Sequence, residues 1–193
     1  MEANESKYTG AALRIAMGWL FLWAFLDKLF GLGFATKPEA AWLAGGSPTT
    51  GFLANATTGP AASLYQGMAG NAIVDLLFML GLLGLGVALM LGIGVQIAGY
   101  AGTLMVLVMW TARLPPANNP ILDEHTVYAL ILVGLAMVRA GQWVGLGRWW
   151  YDLVAKDLPW LQWLTQWPGD LTPGEDKPQL DTLSTAIVLL GGQ

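Results

Sequence analysis

The first long apolar stretch of the chain, Leu13–Phe34, constrains its fold more than any other feature. It reads LRIAMGWLFLWAFLDKLFGLGF, and about twenty apolar residues are enough for a helix to cross the hydrocarbon core of a bilayer. The stretch nevertheless carries Arg14 near one end and Asp27 and Lys28 near the other. Because a charge inside the hydrocarbon core costs several kcal/mol by most scales, ionisable groups at two depths make this helix a candidate functional element.

The composition agrees with an integral membrane protein. Of 193 residues, 55% are hydrophobic and only 11% are charged, whereas about a quarter of the residues of a soluble domain are charged. The absence of cysteine excludes thiol nucleophiles, iron–sulfur clusters and thiolate metal sites. The single histidine, His125, argues against a zinc site or a haem held by two histidines. We therefore expect no metal or haem, and the lack of a basic run argues against nucleic acid as a partner.

The apolar pattern predicts an all-α integral membrane protein with a bundle of four transmembrane helices. Residues 76–112 contain no charge over 37 positions, which is about two membrane thicknesses of helix. Gly92-Ile93-Gly94 is the expected turn between these two spans, and the glycines around it are expected to serve close helix packing. The four predicted spans are 13–32, 71–92, 95–112 and 125–147.

Two further segments complete the predicted organisation. The long outer loop between the first two spans, 34–70, is rich in Gly, Pro, Ser and Thr but contains apolar anchors such as Trp42. It is expected to be ordered, either as part of a site or as a cover without chemistry. Residues 1–150 form the predicted transmembrane domain. Residues 151–193 are expected to form a Trp-rich interfacial helix and a polar tail.

The distribution of positive charges favours cytoplasmic termini in the cell membrane, by a small margin. A cleaved signal peptide is the alternative for the first span, since Ile15–Leu26 has the length of such a core. The preceding region is not basic, however, and no small-residue cleavage site follows directly. We therefore predict a multi-pass protein whose neighbours include membrane lipids.

This topology sorts the charged residues into two layers. Arg14 and Arg139 fall in the inner layer and are expected to bind anionic lipid headgroups. The outer layer collects Asp27, Lys28, Asp75, Arg113, Asp123, Glu124 and His125. A simple explanation is that charges are cheapest at helix ends, where long side chains reach the headgroups and His125 caps a helix. Against it, two short carboxylates lie inside apolar runs and need partners, for which Lys28 and Arg113 are candidates.

Three segments in order resemble the DoxX/DoxD family of small four-helix membrane proteins. They are LRIAMGWLFLWAFLDKLFGLGF, WLAGGSPTTGFL and NPILDEHTVYALILVGLAMVRAGQWVGLG, and the similarity covers most of residues 12–150. Where the family usually has Gly-Leu-Asp after its fourth helix, this chain has Gly145-Leu146-Gly147. Any role of that acidic residue is therefore not carried over, and the tail lies outside the resemblance.

The DoxD branch is associated with thiosulfate:quinone oxidoreductase, which couples two thiosulfates to tetrathionate and passes two electrons to quinone. The resemblance thus implies a membrane subunit of a quinone-linked redox system, with a second protein subunit or a larger complex as partner. On the residues, the proton-transfer candidates are Asp27, Asp75 and His125, and the anion-binding candidates are Lys28 and Arg113. A quinone would need an apolar slot, and the candidates for its aromatic walls are Trp19, Trp23, Phe30 and Trp110.

Two other functions remain open from the sequence. The chain could be a non-catalytic accessory subunit that holds a respiratory or redox complex together through its packing faces and its tail. The third alternative is a carrier of small solutes or ions. It is the least favoured, because four spans without a repeat or a broken helix are a poor basis for a transporter.

Overall fold

The computed structural model describes residues 2–116, 119, 121–150 and 153, with side chains from residue 7 onward. Within these residues the chain is helical and contains no strand. The helices are α1 (Glu2–Phe30), α2 (Thr50–Asn55), α3 (Ala62–Gln66), α4 (Ala72–Leu91), α5 (Val95–Ala112) and α6 (Glu124–Met137). The predicted interfacial helix and polar tail, 151–193, lie almost entirely outside the described residues.

Three of these helices are long and apolar enough to cross a membrane: the segment Lys7–Phe30 of α1, all of α4 and all of α5. The predicted limits of the second and third spans agree with the helices to within one residue at each end. The membrane character predicted from the sequence is therefore supported by length and composition. Exposed leucines on the helices, such as Leu104 and Leu130, are consistent with lipid contact.

The predicted fourth span, 125–147, is wrong in its extent. The helix α6 ends at Met137 after 14 residues, which is about 21 Å and shorter than the hydrocarbon core. Arg139 then adopts φ 51°, and a 3-10 turn covers Ala140–Gln142. Val144 also has a positive φ, 49°. Two non-glycine residues in the left-handed region cannot continue a right-handed helix, so the chain folds back on itself instead.

The helices pack as two antiparallel pairs, and glycines allow the close approach. A methyl group at Gly86 of α4 would lie 2.8 Å from the Cα atom of Leu22 in α1. A methyl group at Gly99 of α5 would lie 2.7 Å from the carbonyl oxygen of Leu132 in α6. The predicted packing role of the glycines is confirmed at these positions, whereas Gly84 has no such neighbour within 4 Å.

The bundle has two ends that differ in construction. We call one the loop end, formed by residues 27–75, 110–116 and 121–125, where α1 runs into the long loop and α5 is connected to α6. We call the other the hairpin end, formed by residues 7–14, 89–96 and 139–148, where the tight turn joins α4 to α5. Core residues between the two ends include Met79 and Leu132, both fully buried.

Candidate functional site

Asp27 lies at the loop end, in the last turn of α1, and its side chain is only 2% exposed. Its carboxylate accepts hydrogen bonds from the backbone N–H groups of Phe34 (3.2 Å) and Ala35 (3.0 Å). The chain can return to the carboxylate because Gly31 has φ +67° and packs against Pro38. Asp27 therefore fixes the start of the long loop. The adjacent Lys28 is half-buried and forms no salt bridge with any described residue.

Asp75 lies in the first turn of α4 and is also buried. Its Oδ1 atom accepts hydrogen bonds from the Ser47 hydroxyl (2.9 Å), the Thr49 backbone N–H (3.2 Å) and the Thr49 hydroxyl. The hydroxyl of Ser47 in turn accepts from the backbone and side chain of Thr50. A buried carboxylate thus organises a hydroxyl-rich turn of the loop.

The predicted pairing of these two carboxylates with Lys28 and Arg113 is wrong. Loop N–H groups and hydroxyls provide the donors that each carboxylate needs, so neither requires a cation. Arg113 instead forms an ion pair with Glu124, with 3.4 Å between Nη1 and Oε1, and both side chains are exposed. The structure therefore does not bring the two predicted anion-binding residues into contact with the buried carboxylates.

His125 is the second residue of α6, whose N-cap is Asp123. The carboxylate of Asp123 accepts from the backbone N–H groups of His125 (3.0 Å) and Thr126 (3.1 Å), and the Thr126 hydroxyl accepts from the backbone N–H of Asp123. The Nδ1 atom of His125 lies 2.8 Å from Oδ2 of Asp123. This is a capping box, which satisfies N–H groups that have no partner in the helix.

Opposing effects act on the pKa of Asp123. Burial raises this pKa. Hydrogen bonds from the side chain of His125 and the backbone of Thr126, together with electrostatic attraction to the imidazole, lower the pKa, and their combined effect exceeds that of burial. The pKa therefore lies below the usual 3.8. Ligand atoms of Asp123, Glu124 and His125 lie within 4.8 Å of one another. Since Asp123 is already engaged in the cap, helix capping accounts for this cluster without a metal ion.

An apolar groove of about 510 Å³ lies between α4 and α5 and is closed on one side by α2 and α3. The exposed side chains of Leu77 and Leu104 stand at its edge, so the groove opens to the lipid-facing surface. Thr49 and Tyr65 supply hydroxyl groups to its lining. The Thr49 hydroxyl is bonded to Asp75, and the Tyr65 hydroxyl lies 2.7 Å from that of Thr111.

The groove was not found from the sequence, and none of the four predicted aromatic residues lines it. Trp19 and Trp23 contact each other on α1, with 5.6 Å between ring centroids. Phe30 is 53% exposed, and Trp110 donates a hydrogen bond to the carbonyl of Ile121. Because α1 contributes no residue to this groove, a quinone slot walled by these four aromatic residues stays a prediction. The sequence signal that could have found it is the hydroxyl cluster Ser47–Thr50, close to an acidic residue at the start of a span.

Arg14 lies at the hairpin end and is fully buried. Its guanidinium donates to the carbonyl oxygens of Leu89, Met90, Trp143 and Val144. The predicted contact of Arg14 with lipid headgroups is wrong, because none of its surface is accessible. Its Nε atom is buried without a hydrogen-bond partner among the described residues, and no described carboxylate forms a salt bridge with it.

Arg139, the other predicted lipid-binding residue, is half-buried beside the end of α6. It lines a cavity of about 350 Å³ together with Gln96 and Tyr100. Lipid binding by Arg139 stays a prediction.

Comparisons of the chain with protein-family models, with curated proteins and with solved structures find no match. The resemblance to the DoxX/DoxD family therefore stays a prediction, and a functional proposal has to rest on the geometry described above.

Proposed function

We propose that the chain is the membrane subunit of a quinone-linked redox system and that the groove between α4 and α5 binds the quinone. The observation that supports this most directly is the composition of the groove. It is apolar over most of its length and open to lipid, and it carries the Thr49 hydroxyl, which is bonded to the buried carboxylate of Asp75. Small-molecule sites in proteins are typically apolar clefts of about this size with a few polar groups that fix the orientation of the ligand.

The fit to a quinone follows from the shape and chemistry of the lining. A quinone has a flat ring with two carbonyl acceptors and an apolar tail. The hydroxyl group of Tyr65 can donate to a ring carbonyl, and that of Thr49 can do so when Asp75 is protonated and donates to it instead of accepting from it. Leu77 and Leu104 line the groove where it meets the lipid, so a tail would leave between them.

Asp75 is the residue that we propose to supply a proton. Reduction of a quinone to a quinol takes up two electrons and two protons. A protonated Asp75 would donate to the Thr49 hydroxyl, which would donate in turn into the groove. Ser47 contacts the same carboxylate oxygen from the loop and would give Asp75 a route for taking up the next proton. In this proposal Asp27 and His125 have structural roles.

The electrons are proposed to come from a small sulfur anion, as the family resemblance implies. Two thiosulfate ions joined as tetrathionate release two electrons, which balances the reduction of one quinone. Lys28 and Arg113 stay the proposed anion-binding residues. They lie on the surface of the loop end that we propose to contact a second subunit. The finer topology belongs to the same proposal: α6 is a short fourth membrane helix that ends at Met137, and both termini lie on the cytoplasmic side of the cell membrane.

A binding experiment with matched variants tests the proposal. The purified chain in nanodiscs is titrated with decyl-ubiquinone, and bound quinone is quantified after extraction. We expect about one equivalent to bind, and Thr49→Val to weaken binding roughly tenfold through the loss of one hydrogen bond. Thr103→Val is the control, because Thr103 bonds only to carbonyls of Gly99 and Ala129 and is not part of the groove lining. Saturable binding that is equal in all three proteins, or no binding at all, would contradict the proposal.

An accessory subunit without chemistry is the second candidate, and α6 favours it. This helix is shorter than the bilayer is thick, yet it exposes Val127, Leu130 and Met137. Co-purification with another membrane protein at fixed stoichiometry, without bound quinone, would favour this second function over the first.

A further inference from the structure

A second cavity lies at the hairpin end, opposite the end at which Asp75 meets the groove. It has a volume of about 370 Å³ and is lined by Lys7, Tyr8, Gln142, Trp143, Val144, Gly145 and Arg148. Two of these side chains are cations, and a hydroxyl and an amide add further hydrogen-bond donors. None of the described residues that line the cavity is acidic. The proposed quinone function uses none of its residues.

The buried guanidinium of Arg14 lies directly behind one wall of this cavity. Trp143 and Val144 line the cavity, and their carbonyl oxygens accept hydrogen bonds from Arg14 at 3.2 and 2.8 Å. A methyl group at Gly145, which also lines the cavity, would lie 3.1 Å from the guanidinium. The same short segment therefore forms the wall of the cavity and the cage of the buried cation.

This arrangement creates a positive field without a matching anion. Carbonyl dipoles satisfy the N–H groups of Arg14, but no described carboxylate forms a salt bridge with it. A charge at low dielectric acts over a longer distance than one in water. The field of Arg14 therefore adds to those of Lys7 and Arg148, and all three charges favour an anion in the cavity.

We propose that this cavity binds a phosphate group. Several cationic and neutral donors around one space suit an anion with several acceptor oxygens, and arginine is well matched to phosphate. A phosphate can come from a lipid headgroup or from the aqueous phase. The exposed Trp149 beside the cavity is typical of the membrane interface, and basic pockets between membrane helices bind anionic headgroups. This site replaces the one that the sequence placed on Arg14 itself.

The test removes the two exposed cations and compares the result with the removal of a cation elsewhere. The full chain and the double variant Lys7→Gln/Arg148→Gln are purified from an equal mixture of phosphatidylglycerol and phosphatidylcholine with identical acyl chains. The control, Lys37→Gln, removes a cation at the loop end to which no binding role has been given. We expect the wild type and the control to retain phosphatidylglycerol in preference, and the Lys7/Arg148 variant to lose that preference by roughly tenfold or more.

A second arm identifies the source of the phosphate. The midpoint of thermal unfolding is measured in inorganic phosphate and in chloride at equal ionic strength. If the Lys7/Arg148 variant loses its bound phosphatidylglycerol and inorganic phosphate does not change the midpoint of unfolding of the wild type, the phosphate belongs to a lipid headgroup. A rise of the midpoint in phosphate that is absent from the Lys7/Arg148 variant assigns a free phosphate. If neither measurement separates this variant from the control, the proposal is overturned.

Discussion

The two ends of the bundle bury charges of opposite sign and use opposite groups of the backbone to do so. At the loop end, Asp27 and Asp75 accept hydrogen bonds from N–H groups and hydroxyls of the long loop. At the hairpin end, Arg14 donates to four carbonyl oxygens, two of them in the last turn of α4. Neither end relies on a salt bridge between its buried charge and another described side chain.

The difference lies in what each end leaves available. The loop end contains Thr49, a residue that lines the open groove and whose hydroxyl donates to the buried acid Asp75. The hairpin end surrounds its cation with carbonyl groups, which accept hydrogen bonds but cannot donate a proton. A carboxylate with hydroxyl partners can take part in proton transfer, whereas a guanidinium held by carbonyls stays charged and acts only through its field. We therefore assign chemistry to the first end and anion attraction to the second.

Among the substitutions considered, Arg14→Met is expected to lower the free energy of unfolding the most. The substitution removes the donors for four carbonyl groups in a segment shielded from water, and unsatisfied backbone groups are costly there. We expect the free energy of unfolding to fall by more than about 3 kcal/mol, measured by equilibrium unfolding in mixed micelles. Arg113→Met, at an exposed ion pair, should cost less than about 1 kcal/mol. Similar losses for the two variants would refute the proposed cage.

A smaller effect is expected from Gly92→Ala, which tests how tightly the hairpin end is packed. Gly92 has φ +76°, and a methyl group there would lie 2.9 Å from both the guanidinium of Arg14 and the carbonyl oxygen of Gly141. We expect a loss of about 2–3 kcal/mol from strain and overpacking together. Gly94→Ala is the control, since Gly94 has φ +57° but no neighbour within 4 Å. Its loss should be limited to the backbone strain of about 1 kcal/mol.

At the loop end, Asp27→Asn should cost roughly 1–2 kcal/mol, because one of the two charge-assisted hydrogen bonds becomes a neutral one and the other is lost, since the amide nitrogen of asparagine cannot accept. Hydrogen exchange of the Phe34 and Ala35 amides gives a local measurement. Faster exchange at these two amides, with unchanged protection in α5, is the expected result. Uniform loss of protection would show that Asp27 supports the whole bundle instead.

The smallest effect is a pH dependence that originates in the cap of α6. Because the pKa of Asp123 is lower in the folded chain than its usual 3.8, the unfolded chain binds more protons as the pH falls. The stabilisation by Asp123 is therefore complete above pH 3.8 and is lost as the pH falls through the lower folded value. Asp123→Asn, which still caps the helix, should show a shallower acid limb in the pH dependence of thermal unfolding. An unchanged limb would exclude this contribution.

The sequence predicted those elements whose signals are local. The limits of α4 and α5 follow from an uncharged apolar run and from Asn71 and Gly92 at the ends of α4, both residues typical of helix caps. The end of α6 was missed because residues 138–147 contain a single charge and no proline, and composition does not reveal the positive φ of Arg139 and Val144.

The candidate site was predicted only in part, because the partners of its charges are distant in sequence. Asp75 was identified from its place in an apolar run, but its true donors lie 26 and 28 residues away in the loop. Arg14 was expected at the headgroups because long cations usually reach them. Its carbonyl partners lie 75 to 130 residues further along the chain, and no periodicity in the sequence links them.

The cage of Arg14 also has a consequence for biogenesis. Translation produces Arg14 first, and the carbonyls of Val144 follow only 130 residues later, which takes roughly ten seconds at ribosomal speeds. During that interval α1 enters the bilayer with a cation that lacks at least half of its acceptors. Insertion of α1 is therefore expected to become stable only after Trp143 and Val144 have been made, so that this helix settles later than the helices translated after it.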